Sequence, residues 1–262
     1  MLHVTIAGRQ AAPPLVITHD LGECAAAMAD AVRRFSTTFR VYAIDLLGHG
    51  LSPRLTANQI DKVFESSVTQ LKKTIGSLGF DQPPLFYGHS LGAALGTAIA
   101  ARHRSAFTAM VLEDPAWLSS EQRSRHARAA QARINLTNRA ETNPEELLAD
   151  HDLISPDWAM TERIGIITGH LQVDPNFLRT GVTTFPEPWQ ELASTIRIPT
   201  LVHSSDSPEA YLGQGGIAAV DLLDNPYLTT KLSPGFGHDI RRAAPDTFHR
   251  GANAFFNGVV AV

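Results

Sequence analysis

Gly88-His89-Ser90-Leu91-Gly92 reads G-x-S-x-G, and it falls between the apolar run Pro84-Leu85-Phe86-Tyr87 and a stretch, 91–104, that carries Ala93, Ala94, Ala98, Ala100 and Ala101 without proline. The first is a buried-strand signal and the second a helix signal. The serine therefore sits on the turn between strand and helix. There, flanking glycines let the two elements approach closely, while the serine keeps a strained backbone that projects its hydroxyl above the sheet. Five residues of this kind are common by chance. Their strand-turn-helix setting makes Ser90 a candidate nucleophile.

Outward from this turn, β-type runs at 15–18, 41–44, 85–87 and 109–112 alternate with helical patterns, which argues for a parallel sheet. The strand signal returns at 200–203 and 228–232, followed by a terminal helix through Phe248, Ala252, Phe255 and Phe256. Between the two halves the pattern is only helical. Asn143-Pro144, Ser155-Pro156 and Asp174-Pro175 each place an N-cap residue before proline at a first helical position. The expected fold is α/β, a mostly parallel central sheet flanked by helices, with residues 1–115 and 198–262 as the core and 116–197 as an inserted helical cap. Trp117, Trp158 and Trp189 all lie in that insertion and are candidates to line a substrate pocket, or else to fill the cap's own interior.

With 262 residues the chain has room for one large domain with an insertion. A formal charge of -4 and a hydrophobic fraction of 44% fit a globular protein and imply no nucleic-acid partner. The arginines 123, 125, 128, 133 and 139 alternate with alanine and polar residues, as on a solvated helix face. Cys24 is the single cysteine, so an intrachain disulfide and a cysteine-rich metal site are excluded, and a reducing cytoplasm is the expected location. No run reaches the roughly 18 apolar residues of a membrane span, and the first residues lack a charged and then apolar leader pattern. No histidine set has metal-ligand spacing, and the glycine signatures of phosphate binding are missing, so neither metal nor cofactor is expected.

A serine hydroxyl needs a histidine base and usually a carboxylate to orient and stabilise that histidine. His238, in Gly235-Phe236-Gly237-His238, has the best setting of the eleven histidines, on a loop after the last strand signal. His89 adjoins the serine and is read as support for the turn. Arg241 and Arg242 are read as helix-surface charge.

Gly88 to Gly92, the segment Asp45-Leu46-Leu47-Gly48-His49-Gly50-Leu51-Ser52 and Gly237-His238 together resemble the α/β-hydrolase superfamily. The resemblance implies an oxyanion loop of the form His-Gly-x-Gly, which here reads His19-Asp20-Leu21-Gly22 with Asp20 in place of glycine. It implies oxyanion donors at the N–H groups of Leu21 and Leu91. Asp20 is then a candidate to bond its own loop's backbone or to meet a substrate hydroxyl. For the acid the family offers two positions. One is after the strand at 200–203, which is Asp206 here. The other is after the strand that follows the nucleophile helix, where the chain reads Val111-Leu112-Glu113-Asp114-Pro115. Glu113 is the preferred acid because it continues the strand, whereas Asp114 before proline reads as a turn residue. Leu21-Gly22-Glu23-Cys24 and the position of Glu113 are also similar to fungal zearalenone lactonases, whose acid is a glutamate at that strand. The expected activity is hydrolysis of a carboxylic ester or lactone of a small, mostly apolar molecule. A non-catalytic ligand-binding protein on the same fold, or carbon-carbon bond hydrolysis or perhydrolysis by the same triad, are the alternatives.

Overall fold

The computed structural model describes residues 1–260. Seven strands, β1 (Val4–Ala7), β2 (Pro14–Thr18), β3 (Arg40–Ile44), β4 (Leu85–His89), β5 (Met110–Glu113), β6 (Thr200–Ser205) and β7 (Leu228–Ser233), form one sheet in the order β1-β3-β2-β4-β5-β6-β7. β1 runs antiparallel to β3 and all other neighbours are parallel. The six strands expected from apolar runs are all present. β1, outside those six runs, is the short antiparallel edge strand Val4-Thr5-Ile6-Ala7, whose two middle residues are exposed.

In chain order the helices are α1 (Ala29–Phe35), α2 (Ala57–Ile60), α3 (Val63–Ser77), α4 (Leu91–Arg102), α5 (Ser120–Arg128), α6 (Ala130–Thr142), α7 (Pro144–Ile154), α8 (Met160–Gln172), α9 (Pro175–Thr180), α10 (Trp189–Ser194), α11 (Gly213–Asp221), α12 (Ile240–Ala243) and α13 (Pro245–Val260). Successive strand residues point to opposite faces, which divides the core into two layers. Leu15, Ile17, Val41, Leu85, Tyr87 and Val111 pack with Phe35 of α1 and with Phe248 and Phe256 of α13. Val16, Phe86, Met110, Leu112 and Val202 pack with Leu71 of α3, Leu95 of α4 and Val220 of α11. Each such side chain contributes ~1.5–3 kcal/mol by leaving water, so these two layers supply most of the driving force for folding.

Between β5 and β6 the chain carries the six helices α5 to α10 and no strand among the described residues. Pro144 and Pro175 open α7 and α9 as expected, and the Asp174 carboxylate accepts from the Asn176 N–H. Ser155-Pro156 opens no helix: the chain turns there, and α8 begins at Met160. α8 packs on the short 3-10 turn Ala25–Met28, where Gly165 is in close backbone contact with Ala26 and Ala27, while Gly169 lies against the Gly22–Glu23 backbone just before it. α10 leaves the other helices of this segment and packs on α4. Trp117 and Trp189 stack with ring centroids 5.2 Å apart, and the Trp117 indole donates to Thr97 Oγ1 on α4. Both are part of the core layer around α4, so neither is a pocket wall. Trp158 is held by Arg242, whose guanidinium lies 5.2 Å from its ring centroid. Of the two readings open for the tryptophans, Trp117 and Trp189 take the packed interior, and Trp158 lies half-buried against Arg242. Among the described residues no helix is long and apolar enough to cross a membrane.

Candidate active site

The C-terminal ends of β2, β4 and β5 converge on Ser90. Its φ is +51° and its ψ is -111°, a conformation that α4 imposes by starting immediately at Leu91. The flanking glycines are a steric requirement. A Cβ on Gly88 would lie 2.7 Å from the Ala93 backbone, and one on Gly92 would lie 2.5 Å from Thr18 Oγ1 and 2.8 Å from the His19 carbonyl. The Ser90 N–H donates to the Glu113 carbonyl, and the Ser90 carbonyl accepts from Ala116, so β5 braces the turn. His89 braces it from the other side: Arg241 Nη1 lies 3.2 Å from its Nδ1, and its Nε2 lies 3.2 Å from the His238 carbonyl. Burial, then the neighbouring His238 and Arg241, push the His89 pKa well down, so this ring is neutral.

The structure brings His238 against Asp114 and against neither carboxylate that sequence reading put forward. His238 Nδ1 and Asp114 Oδ2 are 2.5 Å apart. Asp114 is fully buried, and its other contacts are all donors: Ser204 Oγ at 2.7 Å, the Tyr211 N–H at 2.8 Å and the Leu212 N–H at 3.2 Å. It reaches them from a left-handed backbone, φ +32°, just past the end of β5. Glu113, one residue earlier, points to the opposite face, as strand alternation requires. There it accepts from the Tyr87 hydroxyl and from the Arg241 N–H, the latter at 2.7 Å. Burial raises its pKa, against the opposing pull of Arg241 and Tyr87. Asp206 is exposed and accepts from the Gly235 N–H at 2.7 Å, so it fastens the loop that carries His238 without reaching the ring.

Leu21 and Leu91 both turn their N–H groups toward one point, and the Asp20 carboxylate occupies it. Oδ1 accepts from Leu21 at 2.5 Å and lies 3.4 Å from the Leu91 nitrogen, while Oδ2 lies 3.4 Å from His238 Nε2. His19 fixes this loop: its Nδ1 lies 2.7 Å from the Asp20 carbonyl, and its Nε2 accepts from the Leu46 N–H at 3.0 Å. Burial alone would raise Asp20, but hydrogen bonding and charge from His238 outweigh it and hold the carboxyl well below its usual range. Burial likewise opposes the His238 cation, and Asp114 and then Asp20 overcome that, raising His238 well above the ordinary histidine value.

Tyr211 is a site residue that sequence reading missed. Its ring centroid is 4.2 Å from that of His238, and His126 of α5 packs edge-on behind it at 5.0 Å. The signal available was an aromatic residue in the loop after β6, among Pro208, Ala210 and Leu212. Arg241 and Arg242, read as surface charge, are buried. They lie among Glu23, Glu113, Glu162 and Asp239, with Arg242 2.7 Å from Glu23 and 2.9 Å from Glu162. Asp20, His89 and His238 offer ligand atoms within 4.8 Å of one another. A cation there would have to compete with Arg241 for His89 and would leave His238 only Nε2 to offer. Ser90 itself is 1% exposed. Surface cavities of about 530 and 570 Å³ lie elsewhere, and none of Ser90, Asp114 and His238 lines them.

A sheet of this order with a serine on the strand-to-helix turn, a histidine after the last strand and a buried aspartate behind it defines an α/β-hydrolase. The family described as serine aminopeptidase, S33, matches residues 10–242, and the chain belongs to it. It is similar to a monoacylglycerol lipase of Mycolicibacterium smegmatis, 26% identical over 232 residues that cover 86% of this chain and 81% of that one. Two further curated relatives are matched over only 36% of their length, one of them epoxide hydrolase 4 of Mus musculus at 28% identity and 44% of this chain. Among solved structures, the enol-lactonase of Burkholderia xenovorans superposes with a TM-score of 0.75 at 20% identity, covering 98% of this chain and 96% of that one. The carboxylesterase CesB of Bacillus subtilis gives 0.74 at 20% identity, covering 98% and 88%. At these identities the structural likeness speaks for the fold alone.

Proposed function

We propose that this chain is a serine hydrolase that cleaves a carboxylic ester or lactone of a small, mostly apolar molecule through an acyl-enzyme. The observation that carries the reading is the 2.5 Å contact between His238 Nδ1 and the buried Asp114 carboxylate, beside a serine held at φ +51°. Ser90 Oγ attacks the carbonyl carbon, and His238 Nε2 takes its proton. The oxyanion forms between the N–H groups of Leu21 and Leu91, and His238 returns the proton to the leaving oxygen. Water then enters by the same steps and releases the acid. Asp114 holds the imidazole with Nδ1 protonated and stabilises the cation that appears at each transfer.

The monoacylglycerol lipase named above acts on such a bond by its name, and it supports this choice of substrate class. Intact mass after treatment with a fluorophosphonate tests it, because the probe needs an activated serine and no knowledge of the substrate. One adduct per chain, lost in Ser90→Ala, is the expected result. Folded protein that takes no adduct and hydrolyses no ester or lactone in a panel would leave a non-catalytic ligand-binding protein as the better reading.

A further inference from the structure

The Asp20 carboxylate stands where a reacting substrate would have to go. One oxygen takes the Leu21 N–H at 2.5 Å and faces the Leu91 N–H at 3.4 Å, and the other faces His238 Nε2 at 3.4 Å. A tetrahedral intermediate on Ser90 needs those same groups, two donors for its oxyanion and the imidazole for its proton. Asp20 thus imitates in charge and placement the species the site stabilises. The N-terminus of α4, twelve residues long, adds a field that favours an anion at this point. We propose that Asp20 is a resident anion of the oxyanion hole, that its carboxylate must swing out before Ser90 can be acylated, and that the displaced charge then selects against acyl groups carrying a carboxylate near the scissile carbonyl.

This rests on the serine-hydrolase reading and adds to it a resting state that is closed from within. The side chain of Asp20 is 19% exposed, so it has a way out that does not require the cap to unfold. While it stays in, His238 is flanked by two carboxylates. Asp114 and Asp20 favour its cation, as does Tyr211, against the desolvation that opposes it. The remaining titratable neighbours do not add charge to the site in the way Asp20 does. His89 is neutral, and His126 beyond Tyr211 is pushed down to about 4 by burial and by Arg133. Asp239 and Arg241 lie on the far side of His89 and offset each other at 3.7 Å. Removing the Asp20 charge therefore frees the oxyanion hole and lets His238 lose its proton at lower pH.

The test compares wild type with Asp20→Ala and Asp20→Asn, each checked for a native melting transition. It measures the rate of fluorophosphonate labelling from pH 5 to 9, and the hydrolysis of p-nitrophenyl butyrate against mono-p-nitrophenyl succinate. The alanine variant is expected to label about tenfold faster at pH 7, to reach its plateau at lower pH, and to lose most of the preference for the neutral ester. The asparagine variant keeps an oxygen for the two N–H groups but no charge, so its pH limb should move while its gain in rate stays smaller. Labelling of wild type that is lost in Ser90→Ala, with Asp20→Ala no faster and with an unmoved pH limb, overturns the resident-anion proposal and leaves the hydrolase reading intact. Folded wild type and Asp20→Ala that both fail to label overturn the two together.

Discussion

Asp114→Asn separates the acid proposed above from the one that strand continuity suggests. The Asp114 carboxylate accepts four hydrogen bonds and faces no acceptor: Ser204 Oγ and the Leu212 N–H meet Oδ1, while the Tyr211 N–H and His238 Nδ1 meet Oδ2. A carboxamide has one oxygen, so either orientation fails. With its oxygen toward His238, the Leu212 N–H loses its acceptor and the imidazolium loses its counter-charge. With its NH2 toward His238, the Tyr211 N–H is orphaned, and Nδ1 must accept, which puts the proton on Nε2 and removes the base. Each orphaned buried donor costs about 1–3 kcal/mol of stability. In the serine-protease triad the same exchange lowers kcat about ten-thousandfold through the wrong tautomer. For Asp114→Asn we therefore expect a loss of about a thousandfold to ten-thousandfold in kcat on the best ester substrate, ~4–5.5 kcal/mol in activation free energy, with the protein still folded. Glu113→Gln provides the contrast. That carboxylate binds Tyr87 and Arg241, so its loss should lower Tm and change kcat less than about tenfold. Stopped-flow acylation and a denaturation curve on each variant decide the matter. A Glu113→Gln enzyme crippled in acylation beside a nearly normal Asp114→Asn enzyme would refute the assignment.

Gly165→Ala should loosen α8 from the 3-10 turn beneath it, because its Cβ would fall 2.3 Å from the Ala26 carbonyl. We expect a loss of about 2 kcal/mol, seen as a fall of roughly 4–8 °C in Tm, and an unchanged Tm would show that the two elements are not in this contact. Glu23, raised to about 7 chiefly by burial, binds its proton more tightly in the folded than in the unfolded chain. Its contribution to stability is complete below about pH 4.5 and is lost as pH rises toward 7, so urea titrations should show that decline in wild type and a flatter profile in Glu23→Gln. A difference between the two proteins that grows in the opposite sense would refute the shift. The raised His238 value implies that ester hydrolysis by the wild type falls as pH drops through and below neutrality, since the base is then protonated. A kcat/KM profile flat from pH 5 to 9 would contradict it.

Most of the architecture was legible because it depends on short-range signals. Six strands announce themselves as apolar runs, and the nucleophile turn does so through glycines that sterics demand at 88 and 92. His238 was singled out by its place after the last strand, and there the structure sets it against the Asp114 carboxylate. Glu113 does not reach His238, for a reason already present in the sequence. Val111 and Glu113 share strand parity with Tyr87 on the adjacent strand, so Glu113 had to face the α13 layer and Asp114 the other way. The proline at 115 made Asp114 look like a turn residue, and it is one. The turn is what aims it at His238, at a φ that only the surrounding donors make tolerable. The tryptophans and the arginine pair were not legible in the same way. Whether an aromatic lines a pocket or closes a seam depends on what the insertion packs against, and one sequence does not record that.

The buried charges around Arg241 and Arg242 explain how the glycine-rich loop Gly235-Phe236-Gly237-His238 can hold the His238 ring in place. Glu23 comes from the oxyanion loop, Glu113 from β5, Glu162 from α8, and Asp239 from the residue after His238. The two guanidiniums that join them also donate to the Ala27 carbonyl. Four carboxylates against two guanidiniums cannot all ionise in a dry interior, so the excess must appear as retained protons. The raised pKa values of Glu23 and Glu113 are where it appears. Such a cluster adds little net stability over apolar packing. Its directional contacts instead tie the oxyanion loop, the strand bearing the acid, the histidine loop and the overlying helix to one another. The chemistry proposed at Ser90 requires that those four pieces keep one mutual geometry, and a wholly apolar seam would let them slide.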